Sequence, residues 1–399
     1  MGKRKGPLRG IRILDLTQLY PGPLATMMLA DMGAEVVRLE HPSRPDNVHH
    51  LPPFIGKESA AYLTLNRSKR SLALDTAKEE GRKVFFDLVR TADVVVEQFR
   101  PGVLDKIGIG YDQAVPFNPR IIYVSITGFG QDGPYRQKAG HDINYISLAG
   151  LLSQVKKGEE MVLPGFQTAD VVGGGYMSVI ACMAALWHRE KTGKGQRVDV
   201  SMTDSVMPMI TLQLAQYWGS QGDNEIMNPF DGSFPFYGVY ECADGKPVSL
   251  GALEQKFWAG FCQMADKPEW LSLQFSMGEE RRKVREEVAG LFKTKQRNEW
   301  LKLAEVHDIC LSSIHELGDL EMDPQLQARE MIIETEHEEG LKLKGIGIPI
   351  KFSDSKPDKP QPAPMVGQDS IEILKELGYS QERIEELIGK EIVFAQMKH

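Results

Sequence analysis

The 399-residue chain has little cysteine: Cys182, Cys242, Cys262 and Cys310 are scattered, and no two form a CxxC pair. Neither a zinc site nor a disulfide framework is suggested, and no metal ligands are expected. Basic excess is also missing, with 47 Lys and Arg against 55 Asp and Glu for a net charge of −8. That balance argues against a nucleic-acid partner, although a local basic cluster can still hold an anionic ligand within an acidic whole. The longest apolar stretches are broken by Gly, Asp or Arg short of a membrane span. No apolar signal core follows the basic MGKRKGPLRG start. A soluble cytoplasmic protein without a membrane partner is expected. No GxGxxG follows the first strand, so the usual dinucleotide fingerprint is missing too.

What is present is strand–helix alternation. Ile11–Leu16, Ala34–Leu39, Ser71–Leu74, Asp93–Glu97 and Ile121–Ile126 read as buried strands, and Lys78–Thr91 as an amphipathic helix. Such alternation predicts an α/β fold with a parallel sheet and ligand sites beyond the carboxyl ends of its strands. Ala169–Trp187 and Ser201–Tyr217 read as two long apolar helices. From Phe236 the texture turns to hairpin strands, with Asp244-Gly245 as the turn. The expected division is a large domain over 1–224, completed by 341–399, and a small domain over 225–340.

Three segments have the residue types for chemistry. Gly140–Tyr145 (GHDINY) sets His141 beside Asp142 at a helix start. A histidine there can act as general base near neutral pH, and first-turn amides can hold an oxyanion. The pattern also fits a plain N-cap at Asp142 with an exposed neighbour. Asp170 precedes Gly173-Gly174-Gly175 on an apolar helix. Each helical glycine costs about 1 kcal/mol relative to alanine, so another helix or a ligand must come close to the backbone. Glu254 follows a strand-like run in the smaller domain. Asn66–Arg70 and Arg100 are basic residues beside strand ends, suited to phosphates or to a solvated turn.

Ordered motifs run along nearly the whole chain: Leu8–Ile11, Pro21–Pro23, Ala34–Arg38, Lys69–Leu72, Phe99–Val103, Gly128–Gln131, Gly140–Tyr145, Asp170–Gly175, Thr192–Gln196 and Gly251–Glu254. Together they resemble the family III coenzyme A transferases (CaiB/BaiF), and within them the acyl-CoA racemase branch. The resemblance implies a Rossmann-like large domain, a smaller second domain and an interlocked dimer, with a hetero-oligomer as the alternative. It implies an acyl-CoA thioester as substrate and no cofactor beyond the CoA that the substrate carries.

It further implies that His141 and Asp170 are the catalytic pair, supported by Asp142 and Glu254. Gly140, Tyr145, Leu74, Asp75 and Arg100 would contact CoA. The family usually has Arg before the Pro after the second strand, where this chain has Glu40-His41-Pro42. That phosphate contact would then move to Arg38 or Arg44. Two reactions are compatible with these residues. One is racemisation of a 2-methylacyl-CoA. The other is CoA transfer through an aspartyl thioester on Asp170.

Overall fold

The computed structural model describes residues 4–157, 160–221, 228–336 and 340–396. Short apolar runs separated by helices become a seven-stranded sheet: β1 (Arg12–Leu16), β2 (Glu35–Glu40), β3 (Arg70–Leu74), β4 (Val94–Glu97), β5 (Ile122–Thr127), β6 (Gln196–Ser201) and β7 (Val393–Phe394). Their order is β6-β5-β4-β1-β2-β3-β7. All neighbours are parallel except β7, which runs antiparallel along β3. The central strands are covered on both faces, which is why they read as continuous apolar runs rather than alternating ones.

Helices α1 (Pro21–Asp31), α2 (Glu79–Thr91), α3 (Asp142–Leu148) and α4 (Met177–Thr192) follow in chain order. One core layer joins α1 and α4 to the sheet. The other joins α2 and the C-terminal helices Ser370–Glu376 and Gln381–Gly389. Strand order reverses between β1 and β4, and the crevice at their carboxyl ends is the ligand position such sheets offer. There the backbone N–H of Gly22 donates to Gln98 Oε1 at 2.9 Å, joining the two loops.

The chain forms two compact units, Met1–Thr211 with Arg329–His399, and Leu212–Ala328. The sequence reading set these borders at 224/225, which lies outside the described residues, and at 340/341. The shift has local causes. Helix Thr211–Gly219 buries none of its residues, so it takes no part in the large core. The hairpin Ile332–Glu336/Lys342–Ile346 belongs to the large unit. Arg67 Nη1 donates to Ile346 O at 2.6 Å, and Leu343 is buried with Val48, Tyr62 and Leu63. The second unit has a three-stranded antiparallel sheet and an aromatic core that includes Trp258, Phe261, Trp270, Phe292 and Trp300.

Two helix readings change. Ala169–Tyr176 is π-helical and becomes α-helical only at Met177. The second apolar helix is broken by a 3-10 turn, Met207–Ile210, at Pro208. Ala169–Thr192 is also long and apolar enough to cross a membrane by length and composition, contrary to the sequence reading, and half of its most apolar window is buried in this fold.

Candidate active site

The site grows from the carboxyl end of β5. Beyond it the chain loops to Gly140 and enters α3 with His141 as its N-cap, extended (φ −125°, ψ 175°) and exposed. Asn144 Oδ1 accepts the backbone N–H of His141 at 3.0 Å. The Tyr145 hydroxyl donates to Gly140 O at 2.5 Å, and its ring is buried edge-on to Phe129. Burial, with Asp170 nearby, pushes that phenol up to about 12, so it is a permanent donor.

Among the described residues Asp142 makes no hydrogen bond to the His141 ring. Its Oδ1 accepts the backbone N–H of Ala169 at 2.6 Å and of Asp170 at 3.0 Å. It therefore caps the π-helical segment from outside, supplying an acceptor to orphan donors at a helix start. One carboxylate thus ties the start of α3 to the residue that carries the second candidate group.

Asp170 is half-buried. Burial, reinforced by the Asp142 charge, pushes its carboxyl up to about 6, while His141 pulls it back down. That opposing pull shows His141 within electrostatic reach of Asp170. Tyr20 and Tyr176 share the neighbourhood: burial raises the Tyr20 phenol, and the charges of Tyr176 and Asp170 add to it. Neither tyrosine was singled out from the sequence. The available signal was Tyr20's place between β1 and the Pro21-Gly22-Pro23 break.

The three glycines have a packing cause. A Cβ on Gly173 would lie 2.7 Å from Met202 O, one on Gly174 2.4 Å from Pro21 Cβ, and one on Gly175 2.8 Å from Leu24 Cδ2. Of the two expected reasons for close approach, neighbouring elements supply it. A π-helical turn of this kind is often found at functional sites.

The expected CoA contacts fare differently. Arg38 is 0% exposed. Its guanidinium faces Asp46 at 2.8 Å, Glu40 at 3.2 Å and Asp15 at 3.8 Å. This corrects the expectation of a phosphate contact, because a buried guanidinium met by three carboxylates leaves no face for a ligand. Arg44 is exposed beside His41. Leu74 is buried in the core, pairing with Val393 through its backbone. Asp75 accepts the N–H of Ala77 at 3.0 Å and meets His41 Nε2 at 3.4 Å. Arg100 is exposed, and among the described residues its side chain makes no hydrogen bond or ion pair. Glu254 belongs to the second unit, exposed at the N-cap of helix Gln255–Met264.

Sequence reasoning passed over Glu97. It is buried at the end of β4, accepts the N–H of Phe99 at 2.8 Å, and burial pushes it up to about 7. A lone acid ending an apolar strand (DVVVE) was the signal. Among the described residues no cluster of three His, Cys, Asp or Glu is placed to hold a metal ion.

The model of CoA-transferase family III matches residues 8–370. This chain is a member of CoA-transferase family III. Within the family it is 33% identical to human succinyl-CoA:glutarate CoA-transferase, over 98% of this chain and 91% of that protein. It is 32% identical to human alpha-methylacyl-CoA racemase, over 97% of each. A solved CaiB/BaiF family protein from Brucella suis superposes with a TM-score of 0.81 at 29% identity, covering 94% of this chain and all of that one. Family members bearing these names act on acyl-CoA substrates, and both racemase and transferase names occur among the relatives.

Proposed function

We propose that this chain racemises 2-methylacyl-CoA thioesters by two-base proton transfer through an enolate. The observation that carries this reading is that Asp142, next to His141 at the start of α3, accepts the backbone N–H groups of Ala169 and Asp170, with the Asp170 carboxyl raised to about 6. A group titrating near neutrality gives and takes a proton with little driving-force penalty at either step. The thioester carbonyl acidifies its α-C–H because the electron pair spreads onto oxygen. His141 takes the α-proton from one face. Protonated Asp170 returns a proton to the other, and the configuration inverts. Free first-turn amides of α3 would hold the enolate oxygen, at about 3–4 kcal/mol for one well-placed donor. Arg100 and Asp75 would hold the CoA end.

Identity to succinyl-CoA:glutarate CoA-transferase favours a second reading. There the Asp170 carboxylate attacks the acyl carbonyl and expels the CoA thiolate, giving a mixed anhydride. The thiolate then attacks the aspartyl carbonyl and releases the acid, leaving an aspartyl-CoA thioester. The acceptor acid reverses both steps. A raised carboxyl pKa serves either chemistry, so what separates them is the need for His141.

Incubation with (S)-2-methylacyl-CoA in D₂O, followed by mass and chiral analysis, tests the choice. Deuterium at Cα with loss of configuration and no acceptor acid is the expected result. Acceptor-dependent transfer, with an Asp170 adduct trapped by hydroxylamine, would replace the first reading by the second. We also propose that the chain acts as an interlocked dimer, with a hetero-oligomer as the alternative. The support is a set of large apolar residues left exposed on and near α4, among them Phe166, Ile180, Met183 and Trp187. Light scattering of the purified chain checks it.

A further inference from the structure

One peptide unit in the site is bonded at both ends by side chains from a single helical turn. The unit is Gly140–His141. Its carbonyl accepts the Tyr145 hydroxyl at 2.5 Å, and its N–H donates to Asn144 Oδ1 at 3.0 Å. Because a peptide is planar, two bonds on opposite edges fix the rotation of the whole plane. That plane sets where the His141 Cα–Cβ bond points.

The turn that makes these bonds is itself anchored to the sheet. A Cβ on Gly128, just past β5, would lie 2.3 Å from the Tyr145 ring, and one on Gly140 would lie 2.7 Å from it. The ring therefore sits directly under both glycines. Gly128 O in turn accepts Thr203 Oγ1–H at 2.7 Å and Thr203 N–H at 3.1 Å. The chain of contacts runs from β5 and Thr203 through Gly128 and Tyr145 to the peptide that carries His141.

We infer that Asn144 and Tyr145 are positioning residues that lock the Gly140–His141 peptide and so aim the imidazole at the reacting carbon. This replaces the expectation that Gly140 and Tyr145 contact CoA. It rests on the proposed role of His141 as base. Burial already spends the Tyr145 hydroxyl on the Gly140 carbonyl, and Gly140 is glycine because the phenol ring occupies its side-chain space.

The test compares Asn144→Ala, Asn144→Asp and Tyr145→Phe with the parent. Asp keeps an acceptor at the Oδ1 position, and Phe keeps the ring that supports the two glycines, so both should fold. Hydrogen exchange of the His141 amide should be slow in the parent and in Asn144→Asp, and fast in Asn144→Ala. For deuterium incorporation into 2-methylacyl-CoA, kcat should fall about 10-fold to 10²-fold in Asn144→Ala and Tyr145→Phe, as misplacement by about 1 Å does. KM should be unchanged, and Asn144→Asp should restore kcat. A rise in KM with kcat intact would return Tyr145 to CoA binding and overturn the inference. Loss of amide protection with unchanged kcat would overturn it as well. If the parent exchanges no deuterium, the racemase reading falls. The lock is then judged on the His141 ring signal by NMR, assigned through His141→Gln. That ring must gain mobility in Asn144→Ala and Tyr145→Phe and recover in Asn144→Asp, and failure to do so overturns it.

Discussion

Two charged clusters sit at the carboxyl side of the same sheet, and they differ in one respect. Around Arg38, every buried acid has a buried cation. Asp15 meets Lys69 Nζ at 2.9 Å as well as Arg38, Asp46 meets Arg38, and Glu40 lies between Arg38 and His49. Burial alone would raise Glu40, but Arg38 and His49 outweigh it and hold the carboxyl at about 2. His49 is lowered by burial, yet Glu40 and Glu58 on its two ring nitrogens carry it up to about 9. Around Asp170 burial dominates and the larger neighbouring charge is another acid, Asp142, so the carboxyl moves up to about 6. For Glu40 and His49, burial with matched charges drives titration away from neutrality and makes structure. Burial without them brings it toward neutrality, where proton transfer is possible.

Substitutions should separate the clusters by sign as well as size. The largest effect falls on activity. His141→Ala and Asp170→Asn should each cut inversion at Cα by about 10²–10⁴-fold, measured by chiral analysis of the product. Retention of inversion in either variant would remove that group from the acid–base pair. Next comes Arg38→Met, which leaves buried Asp46 without its cation and Asp15 and Glu40 with only Lys69 and His49. It should cost about 3–5 kcal/mol in urea unfolding. Because the folded Glu40 pKa is depressed, its contribution is complete above its ordinary value of 4.5 and fades as pH falls through about 2. A variant as stable as the parent would show that the cluster is not structural.

Asp170→Asn should have the opposite sign on stability. The folded carboxyl is raised from its ordinary 3.8, so its favourable contribution is present below that pH and lost as pH rises through about 6. At pH 7 the Asn variant should therefore be more stable by about 1–2 kcal/mol, allowing for solvent screening of a half-open group. The gain should vanish near pH 3.5, and its persistence there would assign it to packing. The smallest effect is a shift. Asp142→Asn keeps the acceptor for the Ala169 and Asp170 amides but removes the charge, so the limb of the pH–rate profile near pH 6 should move to lower pH. An unmoved limb would mean that burial alone tunes Asp170.

Much of the fold was legible because strands and helices announce themselves through local period. Five of the sheet strands were placed within a residue or so, and the parallel order followed from helices set between them. GHDINY and the Asp before three glycines were legible as candidates for chemistry because they put titratable groups beside helix starts. Roles that depend on distant partners were not. Nothing local distinguishes Arg38, which is sealed among Asp15, Glu40 and Asp46, from Arg100, which is exposed. Asp142 looked like support for its neighbour His141, yet it bonds to amides 27 and 28 residues away.

The sequence by itself determined the alternating elements and the candidate titratable groups, because backbone propensity and side-chain chemistry are carried residue by residue. Only the tertiary structure decided which acids found cations, what the three glycines lie against, and how the Gly140–His141 peptide is held. Charge pairing, close packing and desolvation depend on which elements meet in space, and that is settled only when the chain has folded.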